Sequence, residues 1–124
     1  MSAGGALVDP GAIDAKLLEL ADLLEDQARA NYRLAIAAAE AEAEHKASVA
    51  TTQLIVRDEA AREGAKLTEA QVDARVTDQT MDLLRTRLVA QAKHEAGRDS
   101  MFSTRARIDA LRTIAASYRE AAKG

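Results

Sequence analysis

The sequence has no glycine or proline between residues 12 and 63, a stretch of 52 residues. Alanine, leucine, glutamate, arginine and glutamine make up most of this stretch, and all five have high helix propensity. Asp9 and Pro10 before it have the form of an N-cap followed by a proline in the first turn. Gly64 after it is typical of a helix stop. The chain is therefore predicted to begin with one long helix over about residues 10–63.

A short segment then links this helix to a second long one. Thr68 and Gln71 have the spacing of a capping box, in which each side chain bonds the backbone N–H of the other residue, so a new helix starts at Thr68. Thr77 and Asp78 both have side chains that can cap a further helix. If either of them does so, Glu69–Val76 is a short linking helix.

These boundaries predict an all-α fold with a single helical domain over residues 10–124. The turn and linking helix occupy about residues 64–77, and the second long helix occupies about residues 78–122. Gly97 lies inside that second helix and marks a candidate break, although a lone glycine is tolerated in a helix. Residues 1–9 are rich in glycine and alanine and are expected to form a disordered tail.

The apolar residues are too small to complete a core within one chain. Alanine accounts for 29 residues, whereas leucine, valine, isoleucine, methionine and phenylalanine together account for 28. Alanine buries little area, so each helix carries only a thin apolar stripe. Stripes of this kind pack in hairpins, bundles or coiled coils, often between chains. We therefore predict a homo-oligomer.

The C-terminal segment carries the clearest packing pattern. Its apolar and small residues alternate by three and four positions, as the a and d positions of a coiled coil do. This spacing predicts coiled-coil-like packing in which Met101, Ile108, Leu111, Ala115 and Tyr118 form the oligomer interface. The full set of seam positions is Met101, Thr104, Ile108, Leu111, Ala115, Tyr118 and Ala122.

Several functional classes lack the residues that they need. The chain has no cysteine, which excludes disulfides and thiolate chemistry. His94 opens a segment, His-Glu-Ala-Gly-Arg, that lacks the second histidine of a zinc-protease motif. We therefore expect His94 and His45 to be solvated surface residues. No phosphate-binding loop or nucleophile elbow is present. We expect no enzyme activity, no metal and no cofactor.

The sequence also bears on where the protein acts. It contains no apolar run near 18 residues, so no membrane span is predicted. The first residues lack the basic start and apolar stretch of a signal peptide. We expect a cytoplasmic protein, in the host cell if a phage encodes it.

Charge is segregated along the chain. Residues 1–64 carry a net charge of −6 and residues 65–124 carry +3. On the last helix four arginines recur every seven residues, at the e positions beside the apolar seam, and Arg107 lies at a g position on the other flank. Two interpretations stay open: the arginines pair with acids of the first helix, or they follow a phosphate backbone. The four are Arg98, Arg105, Arg112 and Arg119.

A second basic group, Arg57, Arg62, Lys66 and Arg75, surrounds the predicted turn. It is either a solvated helix end or, in a cyclic oligomer, part of a ring of charge. The chain has only three aromatic residues, and two of them lie on or beside the packing face. Any nucleic-acid binding is therefore expected to be mainly electrostatic and weakly dependent on sequence.

An Ala/Glu-rich first helix is followed by three distinctive segments of the sequence. They are Ile-Val-Arg-Asp-Glu-Ala-Ala-Arg-Glu-Gly at residues 55–64, Lys-Leu-Thr-Glu-Ala-Gln-Val at 66–72, and Arg-Ala-Arg-Ile-Asp-Ala-Leu-Arg-Thr-Ile at 105–114. In these features, from Ala35 to Lys123, the chain resembles the UvsY-type recombination mediators of bacteriophages.

The resemblance implies a non-enzymatic protein that binds single-stranded DNA, remodels the coating of single-strand-binding protein and helps to load a recombinase. It also implies a helical homo-oligomeric ring assembled partly through the C-terminal helix. The family's DNA contacts lie near the end of the first helix, where Arg57 matches. Ile55 stands where the family has a lysine, and Arg62 and Lys66 are candidates to compensate. Arg98, Arg105, Arg107 and Arg112 form a second candidate surface.

A different class of function fits the same composition. A helical structural or scaffolding protein with no role in nucleic-acid binding would also have Ala-rich helices and heptad packing. The two interpretations differ in whether the basic residues bind single-stranded DNA.

Overall fold

The computed structural model describes residues 9–123, and within them the chain forms three α-helices and no strand. Helix α1 runs over Pro10–Arg62, α2 over Glu69–Gln79 and α3 over Met81–Lys123. The two long helices, α1 and α3, pack against each other. The predicted all-α fold, with two long helices joined by a short one, is confirmed. The predicted tail over residues 1–9 lies, except for Asp9, outside the described residues.

Helix α1 begins where the sequence predicted. The backbone N–H of Gly11 donates to Asp9 Oδ1 at 3.1 Å, and the N–H of Ile13 donates to the Asp9 carbonyl at 3.0 Å. Asp9 is therefore the N-cap, and Pro10 takes the first helical position, where its missing N–H costs nothing.

The other end of α1 closes on Gly64, which has a φ of +69°. The N–H of Ala65 donates to the Ala60 carbonyl at 2.9 Å, and the N–H of Gly64 donates to the Ala61 carbonyl at 3.2 Å. This pair of bonds is a Schellman motif, which requires a left-handed residue at the position of Gly64. Glycine takes that conformation without the penalty that a Cβ would add.

The capping box at the start of α2 is confirmed, but neither Thr77 nor Asp78 caps a further helix. Gln71 N–H donates to Thr68 Oγ1 at 3.1 Å and Thr68 N–H donates to Gln71 Oε1 at 2.9 Å. Helix α2 does not stop at Val76, because Thr77 and Asp78 stay within it and the break comes at Thr80.

Thr80 alone separates α2 from α3. It is only 3% exposed, and its hydroxyl donates back to the Val76 carbonyl at 2.7 Å instead of capping the next helix. Its carbonyl already accepts the N–H of Leu84 at 3.0 Å. The second long helix therefore begins at Met81, a few residues later than predicted. It then continues through Gly97 without a break.

The chain divides into two compact units, which we describe separately. The turn unit spans Arg33–Glu95. Its core is a valine cluster in which Val56, Val72 and Val76 are buried and Val49 and Leu67 pack against them. The cluster therefore joins the end of α1 to the linking segment and to α2.

The terminal unit contains Met1–Tyr32 and Ala96–Gly124. Its most buried apolar side chain is Leu20, at 1% exposure, and Ile13 and Ile108 are also buried. Ala21 lines one cavity with Ile108, and Pro10 lines another with Ala122, so α1 and α3 run antiparallel in this unit.

This packing uses much of the seam that was predicted to join subunits. Ile108 is buried, and Met101, Leu111 and Ala115 are half-buried, against α1 of the same chain. Tyr118 remains 39% exposed. The oligomer interface itself stays a prediction, and the seam has an intramolecular role that the sequence analysis did not assign.

Helix α1 also carries two side-chain amides in the terminal unit whose oxygens are buried. Gln27 Oε1 and Asn31 Oδ1 are buried and have no hydrogen-bond partner among residues 9–123. An unpaired buried amide opposes folding by about 1–3 kcal/mol. The two amides lie four residues apart, on the same face of α1.

Candidate nucleic-acid interface

The basic group around the turn is exposed and partly ion-paired. Arg57 Nη2 lies 3.0 Å from Glu69 Oε2, and Arg62 Nη2 lies 2.9 Å from Asp58 Oδ2. Exposed pairs of this kind contribute about 0–1 kcal/mol, so they do not prevent either arginine from binding an anion. Lys66 is exposed in the connection between α1 and α2, and Arg75 is exposed on α2.

Four arginines in the C-terminal part of α3 have no acidic partner among residues 9–123. Arg98, Arg105 and Arg112 are exposed along one flank of α3, and Arg107 is exposed on the other. None of these four forms an ion pair with any residue in 9–123, although α1 packs beside them. The predicted alternative, pairing with acids of the first helix, therefore does not occur within the described part of the chain.

The acids of α1 explain part of this result. In the terminal unit Glu19 pairs with Lys16 at 3.4 Å and Glu25 pairs with Arg29 at 2.7 Å, both along the same helix. Local pairs at i,i+3 and i,i+4 need no matching across helices. Arg98, Arg105, Arg107 and Arg112 therefore form no ion pair among residues 9–123 and can bind another anion.

Phe102 also lies in the arginine row, and the apolar seam pattern does not identify it as a site residue. Its side chain is 63% exposed, whereas the pattern had suggested that it lies beside the packing face. Phe102 follows Arg98 by four residues and precedes Arg105 by three, so all three lie on the same face of α3. The available signal was its heptad position, b, which points away from a coiled-coil seam.

The arginine row borders a cavity in the terminal unit. The cavity has a volume of about 440 Å³ and contains Leu17, Leu18 and Ile108 in its lining. Asp14 lies on its α1 side and Arg112 on its α3 side. The arginine flank of α3 and the Asp14 flank of α1 therefore lie on the same side of this unit.

A separate polar cluster lies in the turn unit. Arg87 Nη2 donates to Glu42 Oε1 at 3.2 Å, and Arg87 Nη1 lies 3.2 Å from His45 Nδ1. Lys46 Nζ lies 2.9 Å from the same Glu42 oxygen. The hydrogen bond and charge of Lys46, followed by the charge of Arg87, hold the pKa of Glu42 below its ordinary value, against a small effect of desolvation. The cluster is satisfied internally and holds α1 to α3.

The lowered pKa of Glu42 predicts a small acid-dependent loss of stability. A carboxyl whose folded pKa is depressed stabilises the fold above its unfolded pKa, and this contribution is lost as the pH falls through the folded pKa. The fall in urea midpoint between pH 6 and pH 3 should therefore be smaller in Glu42→Gln than in the wild type. Glu44→Gln is the control, because Glu44 forms no ion pair among residues 9–123. If the urea midpoints of Glu42→Gln and the wild type fall equally between pH 6 and pH 3, Glu42 does not contribute to the acid-dependent loss of stability.

Two further findings limit the chemistry of the described residues. Among residues 9–123, no three His, Asp or Glu side chains come together in a group that could hold a metal ion. No helix in that range is both long enough and apolar enough to cross a membrane.

No family model, curated protein sequence or solved structure matches this chain.

Proposed function

We propose that this chain is a phage recombination mediator that binds single-stranded DNA. In this role it helps to load a recombinase onto DNA coated by single-strand-binding protein, acts in the host cytoplasm as a homo-oligomer and carries out no catalysis. The proposal is supported by the exposed row of Arg98, Phe102, Arg105 and Arg112, which has no acidic partner among residues 9–123.

The composition of the row suits a flexible single strand. Successive arginines seven residues apart lie about 10.5 Å apart along the helix axis. Phe102 lies between two of them, where its ring can stack on a base while the guanidinium groups meet the flanking phosphates. Non-specific single-strand sites combine a positive groove with aromatic platforms in this way, because every base has a π-face.

The net charge of −3 does not oppose this function. The acids concentrate in the first half of the chain, so a DNA strand meets a locally positive surface on α3. Repetition of the row in an oligomer would multiply a weak local attraction. The basic group at Arg57, Arg62 and Lys66 remains a second candidate surface, since its ion pairs are exposed and weak.

The proposal is tested by fluorescence anisotropy with a labelled poly-dT oligonucleotide over a salt series. We expect binding at low salt, with a log–log slope of about −0.7 for each phosphate neutralised, or about −2 for three arginines. Absence of binding at micromolar protein and low salt would exclude the mediator function and leave the scaffolding one.

Stacking on Phe102 gives a sharper prediction. Phe102→Ala should weaken poly-dT binding by about 5- to 150-fold, because a base stacked on an aromatic side chain contributes about 1–3 kcal/mol. The salt slope should not change, since no charge is removed. Leu88→Ala is the matched control, an exposed apolar side chain on the same helix. An unchanged affinity for Phe102→Ala would show that the row binds through charge alone.

A further inference from the structure

The turn unit contains a cavity between α1 and α3 to which the proposed function assigns no role. It has a volume of about 300 Å³, and the ion-paired Glu42 and Arg87 form one end of it. Gln91 and His94 line it on the α3 side. We call it the alanine cavity, because its α1 side is formed by three alanines. They are Ala35, Ala38 and Ala39.

The charges at the alanine cavity offset one another. Arg87 Nη2 lies 3.2 Å from Glu42 Oε1, and Lys46 Nζ lies 2.9 Å from the same oxygen. The other polar side chains of the lining are the Gln91 amide and the His94 imidazole, and an imidazole is uncharged in mildly alkaline solution. A ligand of this cavity is therefore expected to bind through neutral polar groups, since the lining has no carboxylate or cation without an ion pair.

Several hydrogen-bonding groups at the cavity have no partner. Glu42 Oε2 accepts no hydrogen bond among residues 9–123, and the side chains of Gln91 and His94 form none in that range. Arg87 contacts Glu42 and His45, and a guanidinium has further N–H donors beyond the two that these contacts use. The cavity therefore presents an acceptor beside a donor, together with an amide and an imidazole that can each do both.

Arg87 is held in place before any ligand binds. Its guanidinium can only donate, so His45 Nδ1, at 3.2 Å from Arg87 Nη1, is the acceptor. Glu42 holds the other side of the same guanidinium. His45 and His94 are both half-buried between the long helices, so the expectation that they are solvated surface residues is wrong. Donors that are fixed in this way lose little conformational freedom on binding.

The shape of the cavity indicates a flat ligand. The methyl groups of the three alanines form a low apolar surface, and the His94 imidazole lies on the α3 side. Histidine is one of the side chains on which bases stack. A volume of about 300 Å³ is at the lower end of the range for small-molecule sites, which suits one ring system.

We propose that the alanine cavity binds a nucleobase. Every base has a flat π-face, and its edge carries donors next to acceptors. The ring lies between the alanines and His94, while its edge donates to Glu42 Oε2 and accepts from Arg87 and Gln91. Because all four bases have a donor beside an acceptor, more than one base is expected to bind.

This site goes beyond the proposed DNA function and does not depend on it. The cavity belongs to the turn unit, and none of its lining residues is in the arginine row. The base can come from a free nucleotide or from a DNA strand. Both sources share the chemistry that the cavity recognises, and the experiments distinguish them.

An NMR titration of protein labelled at its alanine methyl groups tests the site directly. The probes are the four deoxynucleoside monophosphates at pH 8, with deoxyribose 5-phosphate as the control that lacks a base. We expect at least one nucleotide to shift the methyl signals of Ala35, Ala38 and Ala39 at about millimolar concentration, the range of a weak single-site ligand. The control should leave these signals unchanged. If none of the four nucleotides shifts them, the proposal is overturned.

Ala39→Leu blocks the cavity without altering the core. Ala39 is exposed at the edge of the cavity, so a leucine side chain can extend into the space that the base needs. We expect this variant to lose nucleotide binding. Ala43→Leu is the matched control, since Ala43 is exposed one turn further along α1 and does not line the cavity. Equal nucleotide binding by the two variants would also overturn the proposal.

Gln91→Ala tests the contacts at the edge of the base. Gln91 is exposed, so its replacement should leave the fold intact. We expect nucleotide affinity to fall by about 2- to 10-fold, which corresponds to the loss of one hydrogen bond. Gln79→Ala, at an exposed position of α2 away from the cavity, should bind as the wild type does. An unchanged affinity for Gln91→Ala would contradict the position proposed for the base.

Poly-dT anisotropy identifies the source of the base. If the base belongs to a DNA strand, Ala39→Leu should bind poly-dT more weakly than Ala43→Leu, with the same salt slope. If the ligand is a free nucleotide, the two variants should bind poly-dT equally while only Ala43→Leu binds the monophosphates. Either result supports a nucleobase site. Failure of the DNA function would abolish poly-dT binding in every variant and leave the nucleotide titrations unchanged.

Discussion

Ile108→Asp is expected to unfold the terminal unit and to lower the helix content measured by circular dichroism. Ile108 is 8% exposed and packs against α1, so the substitution places an unpaired carboxylate in an apolar site. A buried charge without a partner costs about 3–5 kcal/mol, which is a large part of the 5–15 kcal/mol that stabilises a typical domain. We expect the urea midpoint to fall steeply or the folded baseline to disappear.

The control for this experiment lies on the same helix. Ile114 is 41% exposed, so Ile114→Asp adds the same charge to α3 while burying little of it. Its effect on the urea midpoint should be slight, since surface substitutions usually change stability by less than about 0.5 kcal/mol. Equal destabilisation by the two variants would mean that Ile108 is not in the core of this unit.

The combined reversal of Arg98, Arg105 and Arg112 to glutamate is expected to weaken poly-dT binding by at least about 100-fold at low salt. Each arginine lost removes a phosphate contact, and each glutamate repels the strand. The salt slope should flatten by about 2, which is about 0.7 for each of three phosphates. Anisotropy over the same salt series measures both quantities.

A variant with the same change in net charge tests the location of the site. Arg57→Glu, Arg62→Glu and Arg75→Glu together alter the basic group around the turn and leave the α3 row intact. We expect this variant to lose less than tenfold in affinity. If it loses more than the α3 variant does, the DNA surface is the one that the family resemblance implies, and the α3 row has another role.

The helix ends could be predicted from the sequence because their causes are local. Three end signals act through bonds within six residues and lie where the sequence pattern predicts them. They are Asp9 with Pro10, Gly64, and the Thr68–Gln71 pair. The break at Thr80 could not be predicted in this way. A threonine that caps a helix and one that bonds back to residue i−4 look alike in sequence, and burial decides between them.

The candidate site could be predicted only in part. The seven-residue spacing of Arg98, Arg105 and Arg112 identified the row, because helical periodicity fixes which residues share a face. Whether α1 neutralises that row depends on the offset between two helices, which periodicity does not determine. The exposure of Phe102 depends on the same packing. The spacing therefore predicts which arginines share a face. The contacts between the helices were needed to show which of them have no ion pair among residues 9–123.

The valine cluster of the turn unit also has a consequence for the order of folding. Its members lie within residues 49–76, whereas Pro10 and Ala122, which line one cavity of the terminal unit, are more than 100 positions apart in the sequence. The entropy lost on closing a flexible loop grows with its length, by about 0.6 kcal/mol for each doubling. Short-range closure around Val56, Val72 and Val76 is therefore the least costly first step. We expect the core of the turn unit to form before that of the terminal unit.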